Sequence, residues 1–193
     1  MAAHSTACLR RNPRKLLSQP RSEHRPPRRA GFLAAAPQRY CRSWKTPADH
    51  QGTENMIEVS VSVNIARPAE EVWSILGGFD FLPRWVGAIA SSRLEDGGRL
   101  RRLETVDGEI VVERLLEFSE SERQYSYALL ESPFPVSEYV GQVAVHDEGA
   151  GKSRAVWSSR FRCQGVDALD IAADFEGFYH AGLERLKALV EGQ

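Results

Sequence analysis

Residues 59–86 read VSVSVNIARPAEEVWSILGGFDFLPRWV, and the order of patterns in this run decides the fold. Ile57, Val59, Val61, Val63 and Ile65 alternate with Glu58, Ser60, Ser62 and Asn64. That two-residue period describes a strand with one buried face. Pro68 follows where a first helical turn accepts proline, because the missing N–H has no partner there anyway. Glu70 and Glu71 lie in the same turn, at the positive end of the helix dipole. Val72, Trp73, Ile75 and Leu76 supply the apolar face, and Gly77-Gly78 ends the helix. FDFLPRWV, residues 79–86, then gathers aromatics into a short helical or looped segment.

Downstream of Trp85 the pattern turns to strands. They are predicted at Ala88–Leu94, Arg99–Thr105, Glu109–Phe118, Gln124–Leu130, Ser137–His146 and Ser153–Cys163. The separators EDGG, VDG, SESE, ESPFP and DEGAG carry turn chemistry. Consecutive strands with short connections predict an antiparallel meander. The period changes once more near the end. Ile171, Phe175, Phe178, Gly182, Leu183, Leu186, Leu189 and Val190 form one broad apolar face of a long helix. Asp167, Asp170 and Asp174 load its start, and Arg185 and Lys187 lie near its end. The predicted fold is α+β: a seven-stranded curved antiparallel sheet wrapped around a long C-terminal helix, with two short helices after strand 1. A helix cannot fill the whole concave surface of such a sheet, so a cavity is expected between them.

The charge is split along the chain. Residues 1–55 hold eleven Lys and Arg against three Asp and Glu, whereas residues 56–193 hold fourteen against twenty-three. The first segment is rich in Arg, Pro, Ser and Ala, lacks apolar periodicity and is expected to be disordered. Three readings of it compete: a basic tail for nucleic acid or acidic membrane, a transit-like segment, and an upstream extension ahead of a true start at Met56. The last is favoured, since a coherent strand begins directly after Met56. The folded domain is therefore expected over residues 56–193. No stretch is long and apolar enough to span a bilayer. Cys8, Cys41 and Cys163 leave one cysteine in the domain. A disulfide framework within it is excluded, and a reducing, cytoplasmic setting is expected, or an organellar one if the basic segment directs transit.

From Met56 to the end the chain resembles the helix-grip, START-like (SRPBCC) superfamily, which includes polyketide cyclases/dehydrases, lipid-transfer proteins, the birch-pollen allergen and the plant abscisic-acid receptors. The small bacterial polyketide cyclase/dehydrase-like members are the most similar. The residues carrying the likeness are Arg67-Pro68-Ala69-Glu70-Glu71-Val72-Trp73 and Phe79-Asp80 to Trp85. Val112-Glu113-Arg114-Leu115, Tyr125-Ser126-Tyr127, Pro135-Val136 with Tyr139, and Trp157 complete it. The resemblance implies a ligand cavity and places Val111, Glu113 and Leu115 facing inward. Period alone allows the opposite face, since Ile110, Val112, Leu116 and Phe118 are also apolar, and a bulge would reconcile the two. Against the hormone receptors, Glu113 matches their strand acid and Tyr139 their pocket tyrosine. Their gate loop is shortened to the turn around Asp107-Gly108, their latch falls near Phe134-Pro135-Val136 without its His-Arg pair, and Val86 stands where they use lysine. Hormone sensing of that kind is not expected.

The candidate ligand-binding residues are Phe79, Leu82, Trp85, Val111, Glu113, Tyr127, Phe134, Tyr139, Arg160, Phe175 and Phe178. Glu113 is read as the partner of an inward Arg160 or a tyrosine, as a ligand contact, or as an acid–base catalyst. Tyr127 and Tyr139 either donate to a polar ligand group or pack the core. Phe79, Leu82, Trp85 and Phe134 either line the cavity mouth or form a lid over a small core. Phe175 and Phe178 are core residues first and ligand contacts second. His146 and His180 lack metal-ligand spacing, and no nucleotide or hydrolase fingerprint occurs, so neither metal nor cofactor is expected. The leading expectation is binding or carriage of a small hydrophobic molecule: a lipid, polyketide-like or aromatic compound. A cyclase/dehydratase enzyme is the alternative, and a protein-interaction module using the sheet surface is the third. The domain is not expected to bind nucleic acid.

Overall fold

The computed structural model describes residues 56–163 and 165–192. The basic segment 1–55, and the expectation that it is disordered, lie outside the described residues.

Strand β1 (Ile57–Ile65) leads through Pro68 into α1 (Ala69–Leu76) and the four-residue α2 (Leu82–Trp85). Six strands follow: β2 (Ile89–Glu95), β3 (Leu100–Thr105), β4 (Ile110–Ser119), β5 (Gln124–Glu131), β6 (Val136–Gly149) and β7 (Lys152–Cys163). Helix α3 (Ala168–Glu191) closes the chain. The strands form one antiparallel sheet in the order β1-β7-β6-β5-β4-β3-β2. Six consecutive strands pair by hairpins, while β1 is carried across by α1 and α2 to lie beside β7. This is the helix-grip architecture, a curved seven-stranded sheet closed on its concave side by the long terminal helix.

The local reasons are those of the sequence. The apolar set of β1 faces inward, with Val59, Val63 and Ile65 buried and the intervening polar residues exposed. Pro68 occupies the N-cap of α1, one position ahead of its first turn, and Gly77 ends that helix. In α3 the Asp167 carboxylate accepts a hydrogen bond from the Leu169 N–H at 2.8 Å and caps the first turn. Curvature comes from register breaks in β2, β4 and β6, each adding a residue to one strand of a pair.

The buried stripe of α3 is rotated relative to the predicted one. Ile171, Phe175, Tyr179, Gly182, Leu183, Leu186 and Val190 are buried, whereas Phe178 is only partly covered and Leu189 is 36% exposed. Tyr179 takes the central position because its hydroxyl finds partners inside the sheet, so a polar tip does not force it outward. Gly182 sits where the helix comes closest to the tryptophans beneath. A Cβ there would lie 3.0 Å from the Trp157 ring and 3.4 Å from the Trp85 ring. Replacing Gly182 by valine overfills this contact and is expected to cost about 1–3 kcal/mol, lowering the denaturation midpoint. Gly182→Ala gains about 1 kcal/mol of helix propensity against a milder clash and stays closer to the parent.

Candidate functional site

The register of β3 and β4 sets Arg101 opposite Glu113. Both are buried on the concave face, Arg101 completely and Glu113 to within 6%. Arg101 Nε donates to Glu113 Oε2. Its Nη1 donates to the Phe79 backbone carbonyl at 2.7 Å and to the Tyr125 hydroxyl at 3.3 Å. The guanidinium carbon lies 4.3 Å from the Phe79 ring centroid and 4.8 Å from that of Tyr127, within cation–π distance of both. Burial alone would lower the Arg101 pKa. The Glu113 charge, with smaller contributions from Tyr125 and Tyr127, outweighs burial and holds it above the ordinary arginine value.

The unbroken pairing of β3 with β4 and the alternation from Val111 place Glu113 on this face. The pairing of β4 with β5 shifts between Val112 and Glu113, and Val111, Val112 and Glu113 are buried in succession. A second shift between Leu115 and Glu117 leaves Leu116 47% and Phe118 49% exposed. The two apolar sets that compete in the sequence of β4 are thus reconciled by a change of face along one strand.

Beside the ion pair runs a chain of hydroxyl groups. Trp157 Nε1 donates to the Tyr127 hydroxyl at 2.9 Å, and the Tyr127 and Tyr139 hydroxyls lie 3.5 Å apart. Tyr139 and Tyr179 approach to 2.6 Å, and Tyr179 donates to Ser159 Oγ at 2.7 Å. Burial pushes the pKa values of Tyr127, Tyr139 and Tyr179 upward, so all three remain neutral phenols at ordinary pH. Tyr127 lies flat against Gly141 of the neighbouring strand. A Cβ on that residue would come within 2.4 Å of the ring.

Glu113, Tyr127, Tyr139, Trp157 and Tyr179 line a partly open cavity of about 40 Å³ between the sheet and α3. Of the candidate residues, Leu82, Val111, Glu113, Tyr127, Phe134, Tyr139, Phe175 and Phe178 lie on its wall. Leu103, Thr105, Leu129, Trp157 and Tyr179 join them without having been candidates. A shallower groove of about 140 Å³ lies outside, along the β5–β6 loop. Leu129, Phe134 and Tyr139 belong to both hollows and form the partition between them. The Phe134 ring leans on Phe175 with centroids 5.4 Å apart.

Three candidates lie elsewhere. Arg160 is exposed, because Trp157, Ser159 and Phe161 take the inward positions of β7 and alternation turns Arg160 to the convex face. The partner of Glu113 is therefore Arg101, not Arg160. Trp85 is wholly buried and packs edge-on against Trp157 at 5.1 Å, beneath α3 rather than at a cavity mouth. Phe79 covers Arg101 and meets Tyr125 edge-on at 5.6 Å, away from the cavity wall. Besides the wall residues named above, Arg101 and Tyr125 are residues that the sequence reading missed. Each carried a signal: Arg101 shares its strand face with Leu103 and Thr105, and Tyr125 shares one with Tyr127.

Residues 56–191 match the family described as polyketide cyclase/dehydrase and lipid transport. The chain belongs to that family. An uncharacterized protein of Bacillus thuringiensis shares 35% identity with it at a TM-score of 0.68, covering 69% of this chain and 98% of its own. The Bacillus cereus protein XoxI is also 35% identical, with a TM-score of 0.67 and coverage of 69% and 94%. The Zhui aromatase/cyclase of Streptomyces sp. R1128 is similar in fold at 18% identity and a TM-score of 0.63, covering 71% of this chain and 94% of its own. A search of the curated proteins finds no match. Among the described residues of this family member, no helix is long and apolar enough to cross a membrane. No group of three or more His, Cys, Asp or Glu among them is placed to hold a metal ion.

The ion pair makes a sharp prediction. Arg101→Ala leaves the Glu113 charge buried without its partner and is expected to cost about 3–5 kcal/mol in chemical denaturation. Replacing both members, Arg101→Met with Glu113→Gln, removes the uncompensated charge and is expected to recover most of that loss.

Proposed function

We propose that this protein binds or carries a small hydrophobic molecule between its sheet and its terminal helix, within a reducing aqueous compartment. The observation that carries this reading is the cavity itself, a space walled by aromatic and aliphatic side chains with a few convergent polar groups. Family membership supports it. Its volume of about 40 Å³ holds about two or three waters, whereas ligand pockets span about 300–1,000 Å³. The described form is therefore the closed one, and a ligand takes its place by displacing side chains. Phe134 is the side chain to displace. It stands on a loop, and its departure joins the inner cavity to the outer groove. Phe134→Ala is expected to raise affinity for apolar probes about tenfold or more, since the ring no longer has to be moved. Native mass spectrometry and quenching of Trp157 fluorescence read this directly. An unchanged failure of both parent and variant to take up any apolar molecule overturns the reading.

A second reading, catalysis of a cyclase or dehydratase type, is favoured by one feature: among the described residues, Glu113 is the sole carboxylate on the cavity wall. The aromatase/cyclase named above and the norcoclaurine synthase of Thalictrum flavum share this fold at 18% identity. Loss of turnover of a polyketide-like substrate in Glu113→Gln, with apolar binding and fold retained, is the expected outcome. Survival of turnover removes Glu113 from that role.

A further inference from the structure

The cavity wall discriminates between ligand charges. Glu113 is more than nine-tenths buried and faces the space, while Arg101 stands behind it and reaches no part of the wall. Arg101 holds Glu113 through Nε and the Phe79 carbonyl and Tyr125 hydroxyl through Nη1, while its buried Nη2 has no hydrogen-bond partner among the described residues. Two of the tyrosine protons are committed as well: Tyr179 donates to Ser159, which leaves Tyr139 to donate to Tyr179, while the Tyr127 hydroxyl lies 3.5 Å from that of Tyr139. The polar end of the cavity therefore presents a negative charge, with no cation among the described residues of its wall to meet an anionic ligand. The remaining wall is aromatic, and the Phe134 ring already rests on Phe175 in the position that an incoming ring would take.

We propose that the site selects a neutral aromatic molecule bearing one O–H or N–H donor, of the phenol class, and rejects carboxylates and phosphates. This rests on the ligand-binding reading above and narrows it. The donor hydrogen-bonds to Glu113 while the ring replaces that of Phe134 against Phe175. A carboxylate at the same place meets Glu113 in a water-poor space, and like charges there repel strongly.

Three probes of similar ring size test it by calorimetric titration of the Phe134→Ala protein at neutral pH: phenol, toluene and benzoate. Phenol is expected to bind about tenfold more tightly than toluene, the difference that one charge-assisted hydrogen bond makes. Benzoate is expected to bind at least about tenfold more weakly than phenol. If toluene binds and phenol gains nothing, or if benzoate equals phenol, the selectivity is overturned and the ligand-binding reading stands. If none of the three binds, both fall. In the double variant Arg101→Met with Glu113→Gln, combined with Phe134→Ala, the penalty on benzoate is expected to disappear. Its persistence there would show that Glu113 is not the source. If that combined protein does not fold, the three-probe contrast in Phe134→Ala alone decides.

Discussion

A buried charge in a protein of this size has to be neutralised where it sits, and the Arg101–Glu113 pair does this at the junction of sheet and helices. The two side chains lie opposite each other on β3 and β4. Through Nη1 the same guanidinium holds the carbonyl of Phe79, in the connection between α1 and α2. Phe79 and Tyr127 then close over its faces. One cation thus ties the meander of strands to the helical crossing that brings β1 beside β7. Such pairs contribute little net stability against an apolar replacement, but losing one member is costly. Their effect is to fix which arrangement of strands and loops is compatible with a satisfied interior.

The tyrosine chain is the second polar device, and it serves the helix. Tyr179 brings a hydroxyl to the middle of α3 and commits it to Ser159 on β7, while Tyr139 links β6 to the same point. Trp157 and Tyr179 stack at 4.5 Å beside it. Helix, β6 and β7 are therefore registered by directional bonds as well as by apolar contact. The cavity is what remains between this chain and the ion pair. Stability and capacity oppose each other here: every ring that packs the interior is a ring that a ligand has to displace.

Relatives of the same fold bear names as different as aromatase/cyclase and norcoclaurine synthase, and a fold hosting several chemistries leaves function to the site. In this chain the site consists of one carboxylate backed by an arginine, a row of phenols bonded to each other, and a single phenylalanine dividing the inner space from the outer groove.

The sequence by itself determined the architecture. Alternation from Ile57 to Ile65, Pro68 and the Gly77-Gly78 stop, six strands broken by Gly- and Asp-rich turns, and the terminal apolar stripe are local signals, and local physics sets them. It also marked Phe175 as a core residue of the terminal helix, whereas the inward placing of Val111 was implied only by the family resemblance. Tertiary structure decided the rest. Only the register of β3 against β4, which sets Val111 with Leu103 and Glu113 with Arg101, chose the face of the acid, because period two tolerates either face when both are apolar. Only the pairing of β3 with β4 chose Arg101 over Arg160 as its partner, since strand order is a non-local property. The height of α3 above the sheet, set by Gly182 against Trp157 and Trp85, buried Trp85 in the core and rotated the stripe toward Tyr179. Those distances depend on side chains far apart in sequence meeting in space, and no period in a single segment encodes them.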